Sequence, residues 1–294
     1  MLDVLAECPC CGAPRGAVRF RTMDDGYPVL ACGRCRLLML APREDVAPGT
    51  TTRAHRYGHR DNQLRHNFER SVAEQRTRAR ILGAWLTRFA RARRARTLLD
   101  IGTGLGYLPR MCADAGIDAI GIEPEDDARA YARLTNAIAV YGSFGDLRPA
   151  GRTTFDVVTL FNVLEHVDDL AGLLADVRQC MHAGSVPVIR MPNVSLFRLL
   201  RRMDRLRGTR TSVLQGAPDH RYGFTSPSLR RLLERNGFAN CRYVATPLTT
   251  YAQADAAGAR LLRAAAPVCD GVIRTLTRRR AADLFGSTIV AERA

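Results

Sequence analysis

Three groups of residues in this chain have types and spacings that chemistry would use. The first is Leu99-Asp100-Ile101-Gly102-Thr103-Gly104-Leu105-Gly106-Tyr107. Alternate glycines after an apolar strand, opening a helix, let the backbone turn sharply. They also let a cofactor lie where a Cβ would intrude. A dinucleotide fingerprint, G-x-G-x-x-G, would need its third glycine at 107, where Tyr107 stands. The spacing is instead G-x-G-x-G, with Asp100 two residues ahead. Downstream, Glu123 ends Ile120-Gly121-Ile122-Glu123-Pro124, and a carboxylate at a strand tip can accept both hydroxyls of a ribose. The second group is Cys8-Pro9-Cys10-Cys11 and Cys32-Gly33-Arg34-Cys35, two C-x2-C pairs with 20 residues between them. Cys8, Cys11, Cys32 and Cys35 match a closed tetrahedral structural zinc site, with Cys10 as the spare. The third is His166 and His220, side chains suited to accept a proton near neutral pH.

These residues need a frame. From Thr97 onward, apolar strand patterns alternate with helical ones, which predicts a parallel sheet with crossover helices. Strands are expected at 97–101, 118–122, 137–140, 155–160, 185–190, 239–246 and 287–292, with helices at 106–115, 125–135, 167–182 and 226–236. Gly237 stands as the cap of the last helix. A long polar helix is expected from about Arg60 to Ala95, burying one stripe that includes Val72, Leu82, Trp85, Leu86 and Phe89. The expected organisation is a zinc ribbon at 1–45, a linker and helical cap at 46–96, and an α/β domain at 97–294. That domain carries insertions at about 194–220 and 250–284. The first contains the basic amphipathic run Leu196 to Arg207, read as a lid in preference to a membrane-surface helix. A ribbon so small cannot bury a core of its own, so the metal would carry much of its folding energy.

The formal charge is +15, and all 44 basic residues are arginine. Part of that basicity, together with heavy alanine use, looks like codon bias. Residues 53–96 hold 13 Arg against 3 acids and residues 197–235 hold 10 against 3, whereas residues 97–194 hold 7 against 13. An acidic core between basic flanks attracts anionic ligands without distinguishing among them. There is no apolar run of spanning length and no signal-peptide pattern in Met1-Leu2-Asp3-Val4, so a cytoplasmic location is expected. There the remaining cysteines (Cys112, Cys180, Cys241 and Cys269) would be buried thiols, not disulfides.

The block 97–191 resembles the class I methyltransferases that use S-adenosylmethionine (SAM), of the ubiquinone-biosynthesis and natural-product type. Phe155-Asp156-Val157-Val158 leading to Val163-Leu164-Glu165-His166-Val167 is similar to that family's fourth strand and its exit. The likeness resumes at His220-Arg221-Tyr222-Gly223-Phe224-Thr225 and at Leu232-Leu233-Glu234-Arg235-Asn236-Gly237-Phe238. It implies an α/β, Rossmann-like, seven-stranded and mostly parallel sheet with flanking helices. Gly102, Thr103, Gly104 and Gly106 would cradle the methionine end of SAM, with Asp100 placed to favour its ammonium. Glu123 would hold the ribose and Asn162 would sit beside the cofactor. The acid that the family often carries after the third strand is missing from Tyr141-Gly142-Ser143-Phe144, leaving Ser143 and Phe144 at the adenine. Tyr57, between ribbon and core, would close over SAM, and His166 and His220 would face the acceptor.

The residues after the second knuckle, Leu37-Leu38-Met39-Leu40-Ala41-Pro42, are similar to zinc ribbons that precede methyltransferases of sugar-modification and secondary-metabolite pathways. The expected function is therefore methylation of a small-molecule acceptor, anionic in character, with O-methylation first. One rival is an RNA methyltransferase with a zinc-binding N-terminal unit, although no N-P-P-Y-type tetrad stands at Asn162-Val163-Leu164-Glu165. The other is a non-catalytic SAM-fold subunit that binds partners.

Overall fold

The computed structural model describes residues 7–24, 26–41, 62–202, 204, 211–214, 220–247 and 286–294. Tyr57 and the expected excursion at 250–284 lie outside them. The N-terminal unit is a short antiparallel sheet of β1 (Val18–Asp24), β2 (Tyr27–Cys32) and β3 (Leu38–Leu40). Asp24 pairs with Tyr27 across a turn in which Gly26 takes φ +85°. Alpha-helix α1 (Asn62–Ala92) follows. Its buried positions, Ala79, Leu82, Leu86 and Ala90, recur every three to four residues, so one stripe faces the core. The stripe is narrower than the sequence suggests, since Val72, Trp85 and Phe89 are only partly covered.

Strands and helices then alternate: β4 (Thr97–Ile101), α2 (Tyr107–Asp114), β5 (Asp118–Ile122), α3 (Asp126–Thr135), β6 (Val140–Tyr141), β7 (Phe155–Phe161), α4 (Leu170–Gln179) and β8 (Met181–Pro192). Next come α5 (Val194–Arg202), β9 (Tyr222–Gly223), α6 (Ser226–Arg235), β10 (Phe238–Tyr243) and β11 (Gly286–Arg293). The seven-stranded sheet has the order β10-β11-β8-β7-β4-β5-β6. Only β11 runs against its neighbours. This is the expected Rossmann-like, mostly parallel sheet with flanking helices. The order reverses around β4, the strand that delivers the glycine loop, and such a reversal opens a crevice at the carboxyl ends of the strands. Leu98 and Leu99, on opposite faces of β4, are both fully buried, as a central strand covered on two sides requires. β6 begins later than expected because Ala137 takes φ +50° and the N–H of Ile138 bonds back to Ala132, which spends residues 137–138 on closing α3.

The N-terminal unit is built into the larger body. β9 completes its sheet by pairing with β3, Met39 opposite Tyr222 and Leu38 opposite Gly223. Cys8, Leu37 and Met39 share one apolar cluster with Leu99, Val158 and Phe224. The fully buried carboxylate of Asp24 accepts hydrogen bonds from the N–H of Val213 (3.1 Å), the N–H of Leu214 (2.9 Å) and Ser212 Oγ (3.0 Å). Stranding two buried N–H groups costs about 1–3 kcal/mol each. Asp24→Ala is therefore expected to lose about 3 kcal/mol of stability in urea unfolding, and Asp24→Asn, which keeps an acceptor oxygen, about half that. An Ala variant within about 0.5 kcal/mol of the parent would show that this junction is not under load.

Candidate active site

Gly102, Gly104 and Gly106 take φ of +69°, +58° and +78°, the left-handed region that L side chains avoid. A Cβ on Gly104 would come within 2.6 Å of Gln75 Oε1, and one on Gly102 within 2.6 Å of Val163 Cγ2. The loop is thus a bare backbone surface enclosed by α1 and the exit of β7. Its N–H groups have side-chain partners: Gly104 donates to Glu123 Oε2 at 2.8 Å and Leu105 donates to Gln75 Oε1 at 2.9 Å. Glu123 is 5% exposed. Its Oε1 accepts the N–H of Glu125 at 3.2 Å, and its carbonyl accepts Arg129 at 2.8 Å. The strand-tip acid and the glycine loop, nineteen residues apart, are in direct contact.

Asp100, beneath the loop, is buried, and Thr159 Oγ1 donates to it at 2.6 Å. Burial lifts its carboxyl to about 6, against the lowering effect of the Thr159 hydrogen bond. Asp100 faces Thr159 in the parallel ladder. Asn162 takes φ +59° and its N–H donates to Arg190, which turns the chain at the end of β7. Ser143 is exposed and Phe144 half-buried. Here an acid does stand in the loop after β6, three residues beyond Ser143. Oδ2 of Asp146 accepts the N–H groups of Gly142 and Ser143 and the Ser143 hydroxyl. That acid closes the turn.

His166, at 7% exposure, follows β7 on a short 3-10 turn, and His220 leads into β9. The rings meet edge to face with centroids 4.8 Å apart. Nδ1 of His220 lies 2.6 Å from the carbonyl of Leu214. A carbonyl can only accept, so Nδ1 carries the hydrogen and Nε2 of the neutral ring keeps its lone pair. Leu214 is the same residue whose N–H is held by Asp24, so the N-terminal unit fixes the loop that orients His220. The N–H of Arg221 donates to the carbonyl of Glu165 at 2.7 Å, tying the two histidine segments together. One ligand atom each from Glu165, His166 and His220 fall within 4.8 Å of one another.

At the N-terminal knuckles, Cys8 and Cys35 lie Sγ to Sγ at 3.7 Å, as do Cys11 and Cys32, and all four sulfurs lie within 4.8 Å. Four thiolates at 2.3 Å from a tetrahedral zinc stand about 3.8 Å apart, so the donor set has the size for that ion. Hydrogen bonding to Cys35, together with burial, pushes the Cys8 thiol far up, and a bound cation would oppose this by favouring the thiolate. Cys10 is turned away, its thiol donating to the carbonyl of Ser228 at 3.0 Å.

Sequence reasoning missed Gln75, Thr159 and Asp24. Gln75 sits in a helix whose pattern announces only burial. Thr159 becomes a partner of Asp100 through strand register, and Asp24 sits beside a turn that gives no hint of what docks there.

A family model described as a methyltransferase domain matches residues 72–243, more than half of the chain. The chain belongs to that methyltransferase family, and its domain is of the class I, SAM-dependent kind. An uncharacterized methyltransferase of Mycobacterium avium is 31% identical over 117 residues, 38% of this chain and 46% of the relative. One of Mycobacterium bovis is 34% identical over 115 residues, 38% of this chain and 44% of the relative. The chain thus spans about half the length of the curated relatives it matches. Among solved structures, a SAM-dependent methyltransferase from Archaeoglobus fulgidus is similar at 20% identity and a TM-score of 0.45, covering 72% of this chain and 94% of its own. The plantazolicin methyltransferase BpumL, solved with S-adenosylhomocysteine, is similar at 13% identity and a TM-score of 0.49, covering 80% and 92%. Among the described residues, no helix is long and apolar enough to cross a membrane.

Proposed function

We propose that this chain transfers a methyl group from SAM to a hydroxyl of a small, anionic acceptor such as a sugar, a nucleotide-sugar or a secondary-metabolite intermediate. The observation that carries the cofactor part is the contact between the buried Glu123 carboxylate and the Gly104 N–H. It joins an acid suited to a ribose to a backbone cradle with no Cβ. Bound there, SAM supplies an electrophilic methyl on a sulfonium. Gly102, Thr103, Gly104 and Gly106 enclose its methionine end, Asp100 favours its ammonium, Glu123 takes the ribose, and Ser143 and Phe144 border the adenine. Asn162 lines the cradle at the end of β7. The role of Tyr57 remains a proposal outside the described residues.

Displacement at such a methyl depends on holding the nucleophile close and aligned. The fixed tautomer of His220 supports a base role: Nε2 accepts the acceptor's proton while Leu214 holds the ring, and His166 packs beside it. Cys8, Cys11, Cys32 and Cys35 hold a structural zinc in a ribbon over 1–45, joined through 46–96 to the catalytic unit 97–294. The absence of an N-P-P-Y-type tetrad after β7 favours a small acceptor over RNA.

Asp100 provides a test by pH. Its carboxyl sits near 6, above the unfolded value. Its contribution to folding stability is therefore fully present below about pH 4 and is lost as the pH rises through 6. A cationic ligand has the opposite preference and binds better once the group ionises. SAM affinity by calorimetry is expected to rise about tenfold from pH 5 to pH 7, and Asp100→Asn should flatten that rise. No SAM binding at either pH, or no labelled methyl passed to any hydroxylated acceptor in a panel, would overturn the reading.

A further inference from the structure

Between the N-terminal unit and α5 lies a groove of about 780 Å³ lined by Arg19, Arg21, Arg36, Arg198, Arg202 and Phe20, among others. Among the described residues no carboxylate lines it, and none of the five arginines meets an acid in an ion pair. They come from three separate segments: β1, the second cysteine knuckle and α5. Strand and helical periods pair Arg19 with Arg21 and Arg198 with Arg202, and only the fold brings the three segments together. Gathering them is unfavourable by itself. Burial, with the guanidiniums of Arg21, Arg202 and Arg36, pulls Arg198 below the usual arginine range. Charges held together against repulsion in a concave site are what an anion relieves, and guanidinium forks match phosphate oxygens. Phe20 adds an apolar ring that is 56% exposed on the same wall.

One wall of the groove shares a chain segment with the proposed base. Ser195 and Thr225 complete its wall, and Thr225 lies on the His220-to-α6 segment. The N–H of Val194 bonds to the carbonyl of Phe224, fastening the start of α5 to that segment. The volume lies in the range of small-ligand sites.

We infer that this groove is a binding subsite for the nucleoside diphosphate part of the methyl acceptor, with the arginines on the diphosphate and Phe20 against the base. The inference rests on the small-acceptor reading above and gives the N-terminal unit a function beyond support: it supplies three of the five arginines. Charge draws the anion in, and the aromatic face distinguishes a nucleotide from bare phosphate.

Calorimetry on the full, zinc-loaded chain tests this with inorganic pyrophosphate, ADP, UDP, phosphopantetheine and SAM as separate probes. ADP or UDP is expected to bind at least tenfold more tightly than pyrophosphate, and Phe20→Ala should erase that difference. The double variant Arg21→Gln/Arg198→Gln should weaken the nucleotide at least thirtyfold and leave SAM affinity within twofold. If that variant misfolds, Arg19→Gln/Arg202→Gln, at two exposed positions, should give the same loss. Nucleotide affinity unchanged in the folded variants overturns the assignment. So does phosphopantetheine binding more tightly than either nucleotide, or tight single-stranded RNA binding that pyrophosphate does not displace. A protein that binds SAM and neither nucleotide refutes the groove and leaves the cofactor reading intact. One that binds nucleotide and not SAM supports the groove and refutes the cofactor reading.

Discussion

Gly104→Val is expected to reduce SAM affinity by at least a hundredfold in calorimetry while leaving the chain folded. The position holds φ +58°, where a side chain costs roughly 1–2 kcal/mol and a β-branched one at least that. Strain alone would lower stability without touching a ligand. The larger effect comes from what surrounds the loop. Gly104 gives its N–H to Glu123 and faces Gln75, so an isopropyl group there fills the cradle and displaces the loop from the carboxylate proposed to take the ribose. A hundredfold loss corresponds to about 2.7 kcal/mol, a modest demand on so close a contact. Gly116→Val is the matched control. Gly116 has φ +84°, and nothing lies within 4 Å of where its Cβ would stand, so the same strain arises far from any cofactor. It should lower the melting temperature comparably and leave SAM affinity unchanged. Equal SAM affinity in the Gly104 variant and the parent would remove the glycine loop from the proposed site.

The second large effect concerns the cysteines. Cys32→Ser, or stripping the metal with a chelator, is expected to melt more than the N-terminal unit. Structural zinc contributes about 10–16 kcal/mol to folding in isolated fingers. Here Leu37 and Met39 leave the second knuckle to join the main core, and β3 carries β9 on its edge. Losing the knuckle therefore frees the segment that bears His220 and the Asp24 acceptor that holds Leu214. The expected readings are one zinc per chain in the parent, none in Cys32→Ser, and a fall in melting temperature of ten degrees or more. Cys10→Ser should retain the metal, because its thiol contacts Ser228 and not the sulfur cluster. A parent without zinc would refute the metal, and a metal-free chain that melts as the zinc-loaded parent does would refute its structural role.

Much of this was legible in the amino-acid order because the signals were local. The apolar runs of β4 and β7 and the helical spacing between strands require only nearest neighbours to read. The glycines at 102, 104 and 106 announce a backbone that side chains disfavour, and their positive φ angles agree. The paired cysteines announce themselves by spacing, and their sulfurs come together.

What the sequence determined by itself was the parallel α/β class, the glycine loop with its strand-tip acid, and the two thiol pairs. Each is written within a few residues or in one repeated alternation. Only the tertiary structure decided what those parts touch. Thr159 reaches Asp100 because β7 lies beside β4 in one register. β9 is a two-residue strand with no period of its own and exists because β3 offers it an edge. In a chain whose every basic residue is arginine, no local pattern singles out the five that converge on the groove. The glycine loop itself was thus legible from composition and spacing alone. Its contact with Glu123 and the enclosing Gln75 belong to chain segments brought together by folding, and a linear order holds no record of such contacts.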